Sequence, residues 1–294
     1  MAAKQMKNGS KYMELEKISK ASLSPKEFTK LSEFIKTEYG IKMPEAKKQM
    51  LQSRLQKRLR SLKMNNYKDY ISYLFSKEGK KNDEFLHLID VVSTNKTDFF
   101  REPLHFDFLK YEIVPQFLQY RKNNTLNIWS AACSSGEEPY TIAITLQEMT
   151  EEYTELDYAI FATDVSNGIL NKAREAVYKL EKIAGIPMEI KRKYFLKHRD
   201  PGKKIVKICP ELRRRIFFQS LNLMEPYYNV KRSFDVVFCR NTLIYFDRET
   251  QQKVINKLCV RLKPGGYFFL GHSESIIGMT VPLKQIKPTI FMRN

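Results

Sequence analysis

The sequence predicts an α/β protein: a mostly parallel sheet with helices on both faces, an all-helical domain before it and a small antiparallel β insertion within it. Three observations carry this prediction. Residues 1–95 hold only polar or helical patterns. After Leu126, apolar strand-like runs alternate with helical patterns, the rhythm of a parallel sheet covered on both faces. One stretch, residues 186–215, breaks that rhythm with short patterns around a turn signal, "RDPGKK".

Taken in chain order, residues 1–20 are polar with no partner face and read as a flexible leader. The helical domain follows over residues 21–95. Ser24 is the expected N-cap of its first helix, Pro25 a first-turn residue and Glu27 the acid of a capping box. Phe28, Leu31, Phe34 and Ile35 form the apolar stripe, and Gly40 is placed to end the helix. In "PEAKKQMLQSRLQKRLRSLKM", Leu51, Leu55, Leu59 and Leu62 share one face, with lysines and arginines around it. "NYKDYISYLFS" and "NDEFLHLIDVVSTN" predict two further helices.

Residues 96–125 read as a linking segment, with the break between domains expected in "YEIVPQFLQYRKNNT", residues 111–125. Strands are expected in "LNIWSAAC", "YAIFATD", "IFFQSL", "FDVVFCR" and "GYFFLGH", within a second domain over 126–294. "LKPGGYFFLG" reads as a helix end, a tight turn at Gly265 and Gly266, and a strand. In the insertion, "YFLKH" and "IVKIC" flank "RDPGKK" as a β-hairpin.

Composition narrows the function. No run of about 18 apolar residues exists and the N-terminus has no apolar signal core, so neither membrane insertion nor secretion is expected. Four cysteines far apart, with no CxxC pair, and four scattered histidines point to a cytoplasmic protein with reduced thiols and no metal. The net charge of +18 calls for an acidic partner without naming it.

The loop in "LNIWSAACSSGEEPYTIAI" has the strand–loop–helix layout of a nucleotide site, yet holds one glycine, no lysine and the acids Glu137 and Glu138. A pyrophosphate would be repelled there; an amine or hydroxyl would not. The acids also suit the positive end of a helix whatever binds. Asp164 breaks that tie, because it ends the next strand, where an acid takes ribose hydroxyls. A ribose and a cationic group without need of a phosphate clamp describe S-adenosylmethionine, and so a methyltransferase.

With "STNKTDFFREPLHF", "FATDVSNGILNKAREAVY", "FFQSLNLMEP", "FDVVFCRNTLIYFD" and "LKPGGYFFLGHSES" added in order, the chain resembles the CheR family of chemotaxis receptor methyltransferases beyond residue 20. "NKTDFFRE" and "RNTLIYF" are the most specific of these motifs. The resemblance implies a seven-stranded, mostly parallel Rossmann-like methyltransferase sheet. It implies methyl transfer from S-adenosylmethionine, with S-adenosylhomocysteine as product, to glutamate side chains of chemoreceptor cytoplasmic helices. Carried over onto this sequence, the cofactor contacts fall on Asn95, Thr97, Arg101, Asp164, Asn222, Leu223, Arg240 and Asn241, and on one of the pair Glu137 and Glu138, assigned to Glu138. Arg101 and Tyr245 match the positions that serve the reacting groups, Arg101 as a fork for the substrate carboxylate and Tyr245 with its hydroxyl near the methyl.

An acidic receptor helix gives the positive charge a purpose, and Arg54, Lys57 and Arg58 are the residues expected to meet it. In some members of the family the small β-subdomain tethers a peptide from the receptor C-terminus by strand addition, which makes that peptide a further candidate partner. A nucleic-acid methyltransferase on the same fold is the rival enzyme; the chain has no aromatic-rich basic groove motif to support it. A non-catalytic sensor of S-adenosylmethionine is the rival from another class, and Arg101, Asn241 and Tyr245 argue against it.

Overall fold

The computed structural model describes residues 21–93, 96–120 and 125–294. The leader expected at residues 1–20 and the cofactor contact expected at Asn95 lie outside them. The chain forms two compact units, Met1–Thr94 and Asn95–Asn294.

In the first unit, α1 (Pro25–Tyr39) starts with the expected capping box. The Glu27 N–H donates to Ser24 Oγ at 3.3 Å, and the Ser24 N–H to Glu27 Oε2 at 2.8 Å. Gly40 ends the helix with φ 70°, a conformation that costs glycine little. Next come α2 (Lys48–Leu62), α3 (Tyr67–Leu74), the short α4 (Lys77–Lys81) and α5 (Glu84–Val92). Phe28, Leu31 and Ile35 of α1 and Leu51, Leu55 and Leu59 of α2 meet in one core with Tyr70 and Leu88.

The basic face of α2 divides in two. Arg54 Nη1 donates to the carbonyls of Val91, Val92 and Ser93, closing the carboxyl end of α5. Arg58 grips Glu84 with Nε to Oε1 at 2.7 Å and Nη2 to Oε2 at 2.5 Å, and Glu84 is fully buried. Lys57 is exposed, as are Arg60 and Lys63 beyond it. Removing one partner of a buried pair leaves a charge without compensation. Arg58→Ala is therefore expected to destabilise the helical unit by about 3–5 kcal/mol, read as a shift of the denaturation midpoint. A shift typical of a surface substitution would show that the pair contributes little.

In the second unit, α6 (Leu104–Phe108), a π-helical turn (Leu109–Ile113) and α7 (Val114–Tyr120) precede the sheet and pack Phe106, Leu109, Ile113 and Phe117 into its core. The strands and helices then alternate: β1 (Thr125–Ala131), α8 (Glu137–Thr150), β2 (Asp157–Asp164) and α9 (Asn167–Glu175). A small sheet follows, from β3 (Val177–Lys179), α10 (Met188–Tyr194), β4 (Phe195–Lys197) and β5 (Ile205–Ile208). The chain continues with α11 (Pro210–Arg213), β6 (Ile216–Ser220), β7 (Phe234–Phe238), α12 (Arg248–Arg261), β8 (Leu262–Phe269), β9 (Leu283–Lys287) and β10 (Ile290–Arg293).

The large sheet has seven strands in the order β6-β2-β1-β7-β8-β10-β9. The first five run parallel to one another; β10 is antiparallel to both β8 and β9. The chain leaves β1 toward one edge and returns at β7 toward the other, so β1 and β7 flank the switch point where such sheets bind ligands. Trp129 of β1 is fully buried there, packed on Phe161 and Phe234, with Nε1 donating to Thr163 Oγ1 at 3.0 Å.

The small sheet is antiparallel, order β3-β5-β4. The expected hairpin is β4 paired with β5, Phe195 opposite Ile208; β3, upstream of it, is a third strand that the sequence reading does not contain. A second difference lies at Gly265 and Gly266. They sit inside β8, opposite a register shift between Phe234 and Val236, and so form a bulge rather than a turn before the strand. Gly265 has φ 73°, and a side chain on Gly266 would strike the Asp235 carbonyl.

Candidate active site

The carboxyl ends of β1, β2, β6, β7 and β8 lie along one edge of the sheet, and each delivers polar groups there. After β1 the chain passes through Ala132, Ser134 and Gly136 at φ 62°, 50° and 95°. Left-handed residues so close together curl the backbone tightly before α8. A side chain on Gly136 would press on Ala173 and on the hydroxyl of Tyr178. That hydroxyl, from β3, donates to the Ser135 carbonyl at 2.7 Å, so the small sheet braces the loop.

Asp164, at the end of β2, secures the same loop. Its Oδ2 accepts the Ser134 N–H at 2.9 Å and its Oδ1 the Ser166 N–H at 3.0 Å. The two glutamates after Gly136 diverge. Glu137 accepts from Ser135 Oγ at 2.6 Å, with Lys182 Nζ 4.0 Å away, and burial raises its pKa. Glu138 accepts from Ser130 Oγ at 2.7 Å and from Arg240 Nη1 at 3.0 Å; burial raises its pKa against the pull of Arg240.

Arg240 follows β7 and is almost entirely buried. Its guanidinium lies between two carboxylates, with Nη1 on Glu138 and Nη2 on Glu102 Oε2 at 3.0 Å, and Nη2 also donates to the Arg101 carbonyl. Phe100 and Glu102 have φ 54° and 59°, so Arg101 stands between two left-handed residues. Its side chain is part-exposed, with Nη1 on the Lys96 carbonyl at 3.2 Å and Nε 4.0 Å from Glu102. Thr97 contributes its carbonyl, which accepts from Lys182 Nζ at 2.8 Å.

Asn241 is left-handed, φ 57°, and donates from Nδ2 to Glu102 Oε1 at 3.2 Å. A side chain on Gly271 would collide with that amide. The backbone beyond is clasped by Glu274, which accepts from the N–H groups of Asn241, Thr242, Leu243 and Gly271 at 2.7–2.9 Å. Tyr245 lies in the short 3-10 helix Leu243–Tyr245 that this clasp positions, half-buried against the core. After β6, Leu223 is buried and Asn222 caps its own turn by accepting from the Met224 N–H at 2.9 Å.

Of the expected cofactor and catalytic residues, the fold thus brings Arg101, Glu138, Arg240 and Asn241 into one hydrogen-bonded network through Glu102, with Asp164 holding the loop after β1 and with Thr97, Asn222, Leu223 and Tyr245 on other segments at the strand ends. Glu102 and Glu274 are absent from the residues expected from the sequence. Both lie within motifs that carry the family resemblance, "STNKTDFFREPLHF" and "LKPGGYFFLGHSES", and an acid inside such a motif is the one signal that could have found them.

His105 and His272, far apart in sequence, also meet at Glu102, and one ligand atom from each of the three lies within 4.8 Å of the others. Burial, then the charge of Arg240, push the His105 pKa down to about 4, which keeps the ring neutral. Geometrically the three could take a metal ion. Arg240 already donates to the Glu102 oxygen that faces both rings, and its charge opposes a second cation.

The site suits S-adenosylmethionine better than a phosphate ligand. Acids predominate where amides and a lysine would be needed for phosphate. Ser134 Oγ and Arg240 Nε are buried without a protein partner, and a polar ligand would supply one.

Comparison with known proteins agrees. Residues 95–292 match the family model described as CheR methyltransferase, SAM binding domain, and residues 26–93 match the CheR methyltransferase, all-alpha domain. A chemotaxis protein methyltransferase of Borreliella burgdorferi is 38% identical over 277 residues, 93% of this chain and 96% of that protein. The chemotaxis protein methyltransferase of Escherichia coli is 35% identical over 261 residues, 89% of this chain and 88% of its own length. The acid-rich end of the sheet, the left-handed turn around Arg101 and these likenesses lead to one conclusion: the chain belongs to the CheR family of S-adenosylmethionine-dependent chemotaxis protein methyltransferases.

Proposed function

We propose that the protein esterifies glutamate side chains on the cytoplasmic helices of chemoreceptors, as a protein-glutamate O-methyltransferase working in the cytoplasm for sensory adaptation. The observation that carries the reading is the placement of Arg101. Its backbone is held by Arg240 and its side chain is left part-exposed beside the acid-lined end of the sheet. No helix among the described residues is long and apolar enough to cross a membrane.

S-adenosylmethionine supplies an activated methyl group on a sulfonium. The substrate carboxylate is ionised at neutral pH, so no general base is required of the protein. What remains for the chain is alignment and exclusion of water. Arg101 holds the carboxylate by a fork of hydrogen bonds, Tyr245 sets its hydroxyl beside the line of transfer, and Asp164 takes the ribose. Thr97, Glu138, Asn222, Leu223, Arg240 and Asn241 complete the cofactor contacts, together with Asn95.

Docking of the acidic receptor helix falls to the basic face of α2. Lys57 is available for it, whereas Arg54 and Arg58 act first within the helical unit. A receptor C-terminal peptide is a further partner, added as a strand to the small sheet.

The test is methyl-labelled S-adenosylmethionine with the cognate receptor fragment. Label released as methanol by mild base supports carboxyl methylation; bound cofactor with no label defeats it in favour of a non-catalytic sensor. Label in nucleic acid would favour the rival enzyme. Arg101→Ala is expected to slow turnover about 100-fold through lost alignment, and unchanged turnover would remove Arg101 from the mechanism.

A further inference from the structure

We propose that Glu102 is the positioning residue of the cofactor site, acting through Arg240 and Asn241. The inference rests on the reading of those two residues as cofactor contacts. One carboxylate joins three segments that are distant in the chain. Oε2 takes Arg240 Nη2 at 3.0 Å, and Oε1 takes Asn241 Nδ2 at 3.2 Å and the His272 N–H at 3.3 Å. The turn after Phe100 is thereby fastened to the ends of β7 and β8.

Each bond fixes an orientation that the sequence leaves open. An ionised carboxylate only accepts, so Asn241 must turn its NH2 toward Glu102 and its Oδ1 the other way. Asn241 therefore presents an acceptor to a ligand, the correct polarity for an amine or a hydroxyl. Arg240 is long and flexible, and without Glu102 one carboxylate, Glu138, would hold it from one side. Between the two its guanidinium plane is set, against the face of Phe106 at 5.5 Å.

Glu102 also occupies a strained backbone position, φ 59°, where a side chain other than glycine or asparagine is disfavoured. Its neighbours secure it there, through Arg240 on the Arg101 carbonyl and the Phe100 N–H on Thr141 Oγ1 at 3.1 Å. Burial raises the pKa of Glu102, but the charge and hydrogen bonds of Arg240 and the amide of Asn241 bring it below the ordinary value, so the acceptor-only form persists at neutral pH.

The experiment is a double-mutant cycle read by calorimetric binding of S-adenosylhomocysteine and by steady-state kinetics. Glu102→Gln is expected to weaken binding about 10- to 100-fold and to raise KM for S-adenosylmethionine, leaving KM for the receptor fragment unchanged. With Asn241→Ala the losses should be non-additive, the double variant falling little below the worse single one. With Asp164→Asn, which shares no hydrogen bond with Glu102, they should add. Wild-type-like binding by Glu102→Gln, or losses additive with Asn241→Ala, would overturn the proposal. Should Glu102→Gln not fold, Glu102→Asp keeps the charge for Arg240, draws it back by one methylene and carries the same cycle. If the wild-type protein binds no cofactor, the parent reading fails instead, so the two failures are distinct.

Discussion

Glu274→Ala is expected to cost the second unit about 3–5 kcal/mol and to lower its melting temperature by about 10 °C. The buried carboxylate accepts four backbone N–H groups, those of Asn241, Thr242, Leu243 and Gly271. Hydrogen bonds to a charged group are among the stronger ones, and donors stranded in a buried loop cost more than the bonds gain on average. Asn241 loses most, since its left-handed backbone is held by this contact and its side chain is expected to meet the cofactor. Glu274→Gln keeps the shape but sets an NH2 among N–H donors, and should fall between. Melting followed with and without S-adenosylhomocysteine checks the prediction. A midpoint within about 2 °C of the wild type would mean that the loop is held by its packing.

Asp164→Ala is expected to weaken cofactor binding about 100-fold or more, from the loss of two charge-assisted bonds to ribose hydroxyls. Each oxygen already accepts one backbone N–H, from Ser134 and from Ser166, so the carboxylate is held in place before a ligand arrives. On the proposed reading of Asp164 as the ribose contact, ribose recognition and the curl of the loop after β1 are coupled through one side chain, and the loss should exceed that of the ribose bonds alone. Asp164→Asn retains one acceptor oxygen and should lose less. Titration with S-adenosylhomocysteine decides the matter; equal affinity in Asp164→Ala would place the ribose elsewhere.

What was legible in the sequence follows from burial. β1, β2, β7 and the end of β8 are largely covered on both faces and read as mainly apolar runs. β9, at the edge, buries Leu283 and exposes Lys284, Gln285, Ile286 and Lys287, so it carries no such run. β3 is three residues long with only Tyr178 buried, too short for any period. Helix caps were legible because Ser24, Pro25, Glu27 and Gly40 act within four residues of their partners. The roles of Arg54 and Arg58 were hidden for the opposite reason. Glu84 lies 26 residues from Arg58, and nothing in a basic helix says which of its arginines turn inward. The site behaves in the same way. Asp164 announces itself by ending a strand, whereas Glu102 owes its place to bonds with residues 138 and 139 positions away.

Trp129 is the chain's single tryptophan, and it is sealed in β1, an interior strand of the seven-stranded sheet. Its emission is therefore an optical channel for that unit alone. The helical unit contributes tyrosines but no indole, and far-ultraviolet dichroism registers its helices together with those of the second unit. Recording both signals in one denaturation makes the molecule its own control. Superimposed curves would mean that the two units melt in a single step; separated curves would give each unit its own stability without cutting the chain.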